Sequence, residues 1–156
     1  MVYKLAYRDI EGGSVLQSHI HFGQPSVNGG IAAFLCTNLG NGPAGTPVCP
    51  QPAPGKSATV EGTIRAMNVV GPTAQGIEPG QFAELVNAIR GGVTYVNLHS
   101  TRWPNGEIRG LLRDESTRGT TSSAGAVVPC LSAREQPLAP GLWAAPRPER
   151  AVAQPG

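Results

Sequence analysis

Charged and aromatic residues are scarce in this 156-residue sequence. Aromatic side chains make up 5% of the chain and charged side chains 14%, and the formal net charge is only +2. Lysines and arginines form no long basic run, so the positive surface that nucleic-acid binding requires is missing. We therefore expect no nucleic-acid partner.

Long apolar stretches are also absent. No segment approaches the roughly 20 apolar residues that a membrane-spanning helix requires, so we expect no transmembrane segment. The N-terminus, Met1–Leu5, lacks the apolar core of a signal peptide, and taken literally it would leave the chain in the cytoplasm.

Several catalytic signatures are missing as well. The sequence has no glycine-rich phosphate loop before a helix and no Gly-x-Ser-x-Gly motif. Its carboxylates are few and scattered, which does not support a glycosidase with paired carboxylates.

Glycine and proline, by contrast, are abundant, with 21 and 15 residues. Between their turn signals, alternating apolar residues or β-branched runs predict strands. These lie at residues 3–7, 15–22, 31–36, 57–66, 93–99 and 107–112. One segment, 79–90, instead places apolar residues at i, i+3, i+4 and i+7, which predicts a short helix. Short strands with one helix indicate an all-β sandwich or barrel.

The composition changes after Arg113. Ser116–Ser123 is rich in serine, threonine and glycine, and residues 135–156 are rich in proline. Such a segment cannot bury enough apolar surface to offset the entropy lost on ordering. We therefore expect a folded domain at residues 1–113 and a disordered low-complexity tail at 114–156.

Cys36 and Cys49 bracket a loop rich in glycine, proline and asparagine. This arrangement predicts a disulfide formed in an oxidising compartment, and closing such a loop contributes about 3 kcal/mol in the chain-entropy model. The alternative is two unpaired thiols in a cytosolic protein. A zinc site is less well supported, because a close second pair of ligands is missing. Cys130, in the tail, has no evident partner.

All three histidines lie in predicted strands. His19 and His21 face the same way, because side-chain direction repeats every two residues in a strand. In the strand that ends at His99, Val96 and Leu98 lie on the opposite face from His99. If the two strands are neighbours and share one apolar core, the three imidazoles converge on the other face. Three neutral imidazoles suit a copper or zinc ion and leave one coordination position open.

The alternative is that the histidines are polar, partly exposed residues that hydrogen-bond across the sheet to Asn97, Glu107 or Arg109. Glu107 and Arg109 share one face of their strand, opposite Ile108. We prefer to interpret them as an ion pair on a solvated face, which contributes about 0–1 kcal/mol. A functional interpretation is that Arg109 guides anions toward a metal or that Glu107 orients a histidine.

Two motifs resemble the signatures of the chordin-type (CHRD) domain family. His19–Gly23 followed by Val27–Gly29 resembles the first, and Tyr95–Ser100 followed by Pro104–Gly110 resembles the longer second. The resemblance covers roughly residues 3–112. It implies an extracellular or periplasmic sandwich of the Greek-key, immunoglobulin-like type, and it implies no settled activity.

The family has been compared with copper/zinc superoxide dismutase, whose copper ligands include a His-x-His strand and a further strand histidine. On that analogy His19, His21 and His99 form a copper-like set. A dismutase also has a bridging histidine, for which this chain has no residue, since it contains only three histidines. We therefore do not expect a full dismutase mechanism.

The start of the chain differs from the family pattern, in which further strands precede the strand that resembles residues 3–7. We therefore expect a fragment that has lost its signal peptide and first strands. Such a fragment would leave a sheet edge unpaired, which favours aggregation or dimerisation.

The sequence leaves three functions open. We favour a secreted binding or interaction module with an unidentified protein or small-ligand partner, whose histidines hold a metal ion. The second is a small copper or zinc enzyme of redox or hydrolytic type. The third is a structural or adhesive cell-surface domain that binds no metal.

Overall fold

The computed structural model describes residues 1–24, 26–114, 125–127 and 131–132. Its strands are β1 (Val2–Arg8), β2 (Val15–Phe22), β3 (Gly30–Thr37), β4 (Ser57–Thr63), β5 (Thr94–Ser100), β6 (Ile108–Leu111), β7 (Arg113–Asp114), β8 (Gly125–Val127) and β9 (Leu131–Ser132). The helix α1 spans Phe82–Arg90, and 3-10 turns occupy Ala66–Asn68 and Thr73–Gln75.

The strands form two sheets, which confirms the predicted all-β sandwich with one short helix. The first sheet has the order β4-β1-β8-β7, and β9 also pairs with β1. The second has the order β3-β2-β5-β6, with antiparallel pairing throughout. β1 is antiparallel to β4 on one side and parallel to β8 and β9 on the other. β1 is therefore paired on both sides and does not lie at an edge of this sheet.

Apolar side chains from both sheets form the core. On β1, Tyr3, Leu5 and Tyr7 are buried while Lys4 between them is exposed, as the period-2 pattern predicts. On β2 and β5, Ile20 and Leu98 are fully buried. Each such side chain contributes about 1.5–3 kcal/mol through burial.

The helix begins at Phe82, three residues later than the start that periodicity predicts. Gly80, two residues before this start, has a φ of 87°, which is incompatible with a right-handed helix. Leu85 and Ile89 are buried, so the predicted apolar face packs against the core. Among the described helices, none is both long enough and apolar enough to cross a membrane.

The disulfide between Cys36 and Cys49 is present, which confirms that prediction. It joins β3 to the end of the loop that follows, and both residues belong to the core. Asn38 supports the same junction, because its side chain donates to the Cys49 carbonyl and accepts from the Cys49 N–H. A closed disulfide is compatible with an extracellular location.

Most of the predicted tail lies outside the described residues, as does Cys130. The described parts beyond residue 113 are β7, β8 and β9, which pair within the first sheet or with each other. The division of the chain at residue 113 stays a prediction.

Candidate metal centre

The three histidines come from two adjacent antiparallel strands. β2 carries His19 and His21, and β5 carries His99. In the register of these strands, His19 lies opposite Asn97 and His99 lies opposite Gln17. Because the strands are neighbours and the parities match, one ring nitrogen from each histidine lies within 4.8 Å of the other two.

His19 and His99 form the tightest pair of the cluster. The distance from His19 Nδ1 to His99 Nε2 is 3.2 Å. Two nitrogens bound to one tetrahedral zinc ion at about 2.0–2.1 Å lie about 3.3 Å apart. In the metal-free protein this contact is a hydrogen bond between the two rings, and its length is close to the spacing of two ligands of one ion. His21 is farther away. Its ring centroid lies 5.6 Å from that of His19 and 6.1 Å from that of His99, so His21 has to move inward to share an ion with them.

The cluster is buried, with relative exposures of 1% for His19, 8% for His21 and 6% for His99. The structure thus contradicts the alternative of a solvated, partly exposed histidine face. Phe34 of β3 meets His19 edge-on, with ring centroids 4.5 Å apart. Tyr95 of β5 stacks on His21 at 5.0 Å, with 4° between the ring planes.

Backbone carbonyls occupy one nitrogen on each of two histidines. Nδ1 of His21 lies 2.9 Å from the Gly29 carbonyl, and Nδ1 of His99 lies 2.9 Å from the Pro104 carbonyl. Since a carbonyl only accepts, each Nδ1 carries the proton and each Nε2 carries a lone pair. Hydrogen bonds of this kind fix the tautomer and orientation of histidines that bind metals.

Two of the remaining ring nitrogens have no partner. His19 Nε2 and His21 Nε2 are buried and make no hydrogen bond within the described part of the chain. A buried polar atom without a partner costs about 1–3 kcal/mol. Coordination of a cation would satisfy the lone pair of His21 Nε2, and the donor set of three imidazoles suits copper and zinc.

Burial also holds the three imidazoles in the neutral form that binds metals. Desolvation, together with the smaller effects of neighbouring His99 and His21, lowers the pKa of His19 to about 3. Burial likewise lowers the pKa of His21 and His99. The hydrogen bonds of these two rings to backbone carbonyls raise the pKa, but by less than burial lowers it. All three rings are therefore uncharged at neutral pH.

Comparison with known proteins places these features in one family. The family model described as the CHRD domain matches residues 1–112. The chain belongs to the CHRD domain family. No curated protein and no solved structure matches it. The matched region of this CHRD domain includes the three histidines and both cysteines of the disulfide.

A short loop of the CHRD domain supports His21. The Gly29 carbonyl accepts from His21, and the Gly29 N–H donates to the Tyr95 hydroxyl at 3.0 Å. A Cβ at Gly29 would lie 1.9 Å from the Phe22 carbonyl oxygen, so only glycine fits at this position. Tyr95 and Gly29 thus fix the ring of His21 from two sides.

Arg109 secures the same loop from β6. Its guanidinium donates to the Val27 carbonyl at 3.2 Å and to Asn28 Oδ1 at 3.0 Å. It also lies over the Tyr95 ring, 4.2 Å from the centroid, as a cation–π contact. The contacts of Arg109 therefore connect to the histidine cluster through Tyr95 and the loop.

Glu107 and Asn97, which the sequence singles out together with Arg109, have other contacts. Glu107 Oε1 accepts the backbone N–H groups of Glu11 and Gly12, so it secures the turn before β2. Asn97 is buried opposite His19, and its amide lies 3.4 Å from the Asn105 carbonyl. The groups that orient His21 and His99 are instead backbone carbonyls.

Sequence reasoning did not identify Phe34, Tyr95, Gly29 and Pro104 as parts of the site. Tyr95 had a usable signal, because it shares the parity of His99 on the same strand. Gly29 and Pro104 act through backbone atoms, and a side-chain pattern does not reveal which carbonyl points at a ring.

Proposed function

We propose that this CHRD domain is an extracellular or periplasmic binding module whose His19, His21 and His99 hold one copper or zinc ion. The observation that carries the proposal is the buried cluster itself, because one ring nitrogen of each histidine lies within 4.8 Å of the other two and His21 Nε2 has no partner within the described part of the chain. Native proteins rarely leave such atoms unsatisfied, and a cation is the partner that neutral imidazoles suit.

The protein's own residues supply most of what the ion needs. Gly29 and Pro104 hold the proton of His21 and His99 on Nδ1, so both rings present Nε2. Burial keeps the rings neutral. When bound, the ion would act as a Lewis acid and cross-link β2 to β5. With three protein ligands, the ion would be able to take one further ligand, from a small molecule or from a side chain of a partner protein.

The proposed location outside the cytoplasm rests on the disulfide. Both Cys36 and Cys49 are nearly inaccessible, at 0% and 1% exposure. Such bonds persist in oxidising compartments, which include the periplasm and the extracellular space.

A small copper or zinc enzyme is the second candidate function. The observation that favours it is the ligand number, because catalytic metal sites keep an open position beside three protein ligands. Turnover of superoxide or of a hydrolysable ester by the metal-loaded protein would favour this candidate. Binding of stoichiometric metal without turnover would favour the binding module.

Metal content tests the proposal directly. The full chain with Cys130→Ser, which removes a competing thiol, is freed of metal, dialysed against copper or zinc and analysed for bound metal. The variants are His21→Gln and His99→Gln. Gln17→Ala serves as the matched control, because Gln17 lies on β2 opposite His99 and its side chain bonds to Asn41.

We expect one equivalent of metal in the parent and in Gln17→Ala, and none in either histidine variant. Circular dichroism and thermal melting establish that each variant is folded. Folded parent protein without stoichiometric metal would refute the proposal and leave a structural or adhesive domain. Metal that persists in both histidine variants would place the ion elsewhere.

A further inference from the structure

We infer that the histidine cluster takes monovalent copper in preference to divalent copper and zinc. This inference rests on the metal site proposed above and names the ion that the site selects. It follows from the charge, the number and the burial of the donors.

The donor set carries no negative charge. The cluster consists of His19, His21 and His99, and no carboxylate or thiolate joins it among the residues that the structure describes. With neutral ligands, the full charge of the ion remains in the site. The free energy lost on removing an ion from water grows with the square of its charge, so a buried site of this kind penalises a divalent ion more.

The number of donors also favours monovalent copper. Zinc takes a fourth ligand, either a protein group or water, and divalent copper prefers a tetragonal set. Monovalent copper has a closed shell and is stable with fewer neutral ligands. The described residues supply only three donors to the cluster.

Burial of the cluster leaves little access for water as an additional ligand of the ion. The three rings are at most 8% exposed, and the rings of Phe34 and Tyr95 flank His19 and His21. A divalent ion that completes its coordination shell with water therefore has to open this face. A monovalent ion does not.

Arg109 strengthens the preference of the cluster for a monovalent ion. Its guanidinium lies 4.2 Å from the centroid of the Tyr95 ring, and that ring stacks on His21 at 5.0 Å. A positive charge this close raises the electrostatic potential at the cluster, which disfavours the ion of higher charge.

The test compares three dissociation constants on the full chain with Cys130→Ser. Monovalent copper is measured without oxygen, by competition with a colorimetric copper(I) chelator. Ascorbate is the reductant rather than a thiol, so that the Cys36–Cys49 disulfide stays closed. Divalent copper and zinc are measured in air against chelators of known affinity, and every measurement is repeated on His99→Gln.

We expect the dissociation constant for monovalent copper to be lower than both others by on the order of 100-fold, which corresponds to about 2.7 kcal/mol. All specific binding should be lost in His99→Gln. Zinc or divalent copper bound at least as tightly, and lost in His99→Gln, would overturn this inference and leave the metal site intact. Folded protein that binds none of the three ions would overturn the proposed function as well.

Arg109→Gln tests the charge argument separately, with Lys4→Gln as the control. Lys4 lies on the other sheet in an exposed pair with Glu61. We expect Arg109→Gln to narrow the gap between the dissociation constants for monovalent and divalent copper. Lys4→Gln should leave this gap unchanged. An unchanged or wider gap in Arg109→Gln would contradict the charge argument.

Discussion

Ile20 and His21 are neighbours on β2 and face opposite sides of the same sheet. Both are buried, at 0% and 8% exposure. The Ile20 side packs into the hydrophobic core together with Val96 and Leu98. The His21 side is covered by aromatic rings and a short loop, and it contains ring nitrogens that have no partner among the described residues.

The difference between these two faces shows how burial can serve stability or binding. On the apolar face, each buried group contributes favourably to folding without any partner. On the histidine face, burial of polar groups costs free energy, and the proposed cation would offset part of that cost. The apolar face should therefore determine the stability of the metal-free fold, and the histidine face its response to pH and to metal.

Acid should affect the histidine face most strongly. Below about pH 6.5 the unfolded chain protonates its histidines, whereas the folded chain does not protonate His19 until its pKa of about 3. The unfolded state then binds more protons, so the free energy of unfolding falls as the pH falls. The slope approaches about 1.4 kcal/mol per pH unit for His19, and His21 and His99 add to it in the same direction.

Urea unfolding of the metal-free protein between about pH 7.5 and 5 measures this slope, above the range in which carboxylates titrate. His21→Gln should reduce the slope. A free energy of unfolding that stays constant over this range would show that the folded protein protonates its histidines as readily as the unfolded chain does.

Leu98→Ala should damage the apolar face alone. Leu98 is fully buried, and removing such a side chain lowers the free energy of unfolding by about 2–5 kcal/mol through lost burial and the cavity left behind. The folded variant should still bind one metal ion. Leu111→Ala, at a residue that is 37% exposed, is the control and should change stability by only about 0.5 kcal/mol. Equal effects of the two variants would contradict the assignment of Leu98 to the core.

Gly29→Ala should weaken metal binding without touching a ligand. The added Cβ would overlap the Phe22 carbonyl oxygen, so the loop has to shift and its bond to His21 Nδ1 is disturbed. Loss of such a supporting hydrogen bond typically lowers metal affinity 10–100-fold, or about 1.4–2.7 kcal/mol. Metal titration of the folded variant measures the change. Parent-like affinity would mean that the Gly29 carbonyl does not orient His21.

Arg109→Gln should lower stability much less than Leu98→Ala. The variant loses the contacts of the guanidinium with Val27, Asn28 and the Tyr95 ring, which are partly exposed interactions worth about 1 kcal/mol together. Hydrogen exchange of the Gly29 N–H should become faster, because Arg109 holds the loop that contains it. Unchanged exchange at Gly29 would show that Tyr95 alone secures this loop.

The faces of the sandwich were predictable, but the cover over the histidines was not. Strand periodicity gives the parity of His19, His21 and His99, and that parity is enough to bring them together once β2 and β5 are neighbours. Burial of the cluster depends on Phe34 of the adjacent strand and on a loop whose backbone reaches His21. Neither contact follows from a pattern within one strand.

The strands that pair with β1 on its parallel side could not be predicted, for a different reason. The alternation of Tyr3, Leu5 and Tyr7 predicts that strand correctly. Its parallel neighbours are β8 and β9, with three and two residues, in a segment with no apolar periodicity. Strands this short carry no recognisable signal, because period-2 alternation needs about four residues to show.

The central claim is that the buried histidine face is a metal site, and anomalous diffraction from metal-loaded crystals tests it most directly. For the zinc-loaded full chain, the account predicts one anomalous peak about 2.0–2.1 Å from a ring nitrogen of each of His19, His21 and His99. A peak at any other position, or a histidine cluster without a peak in crystals grown with excess metal, would contradict it.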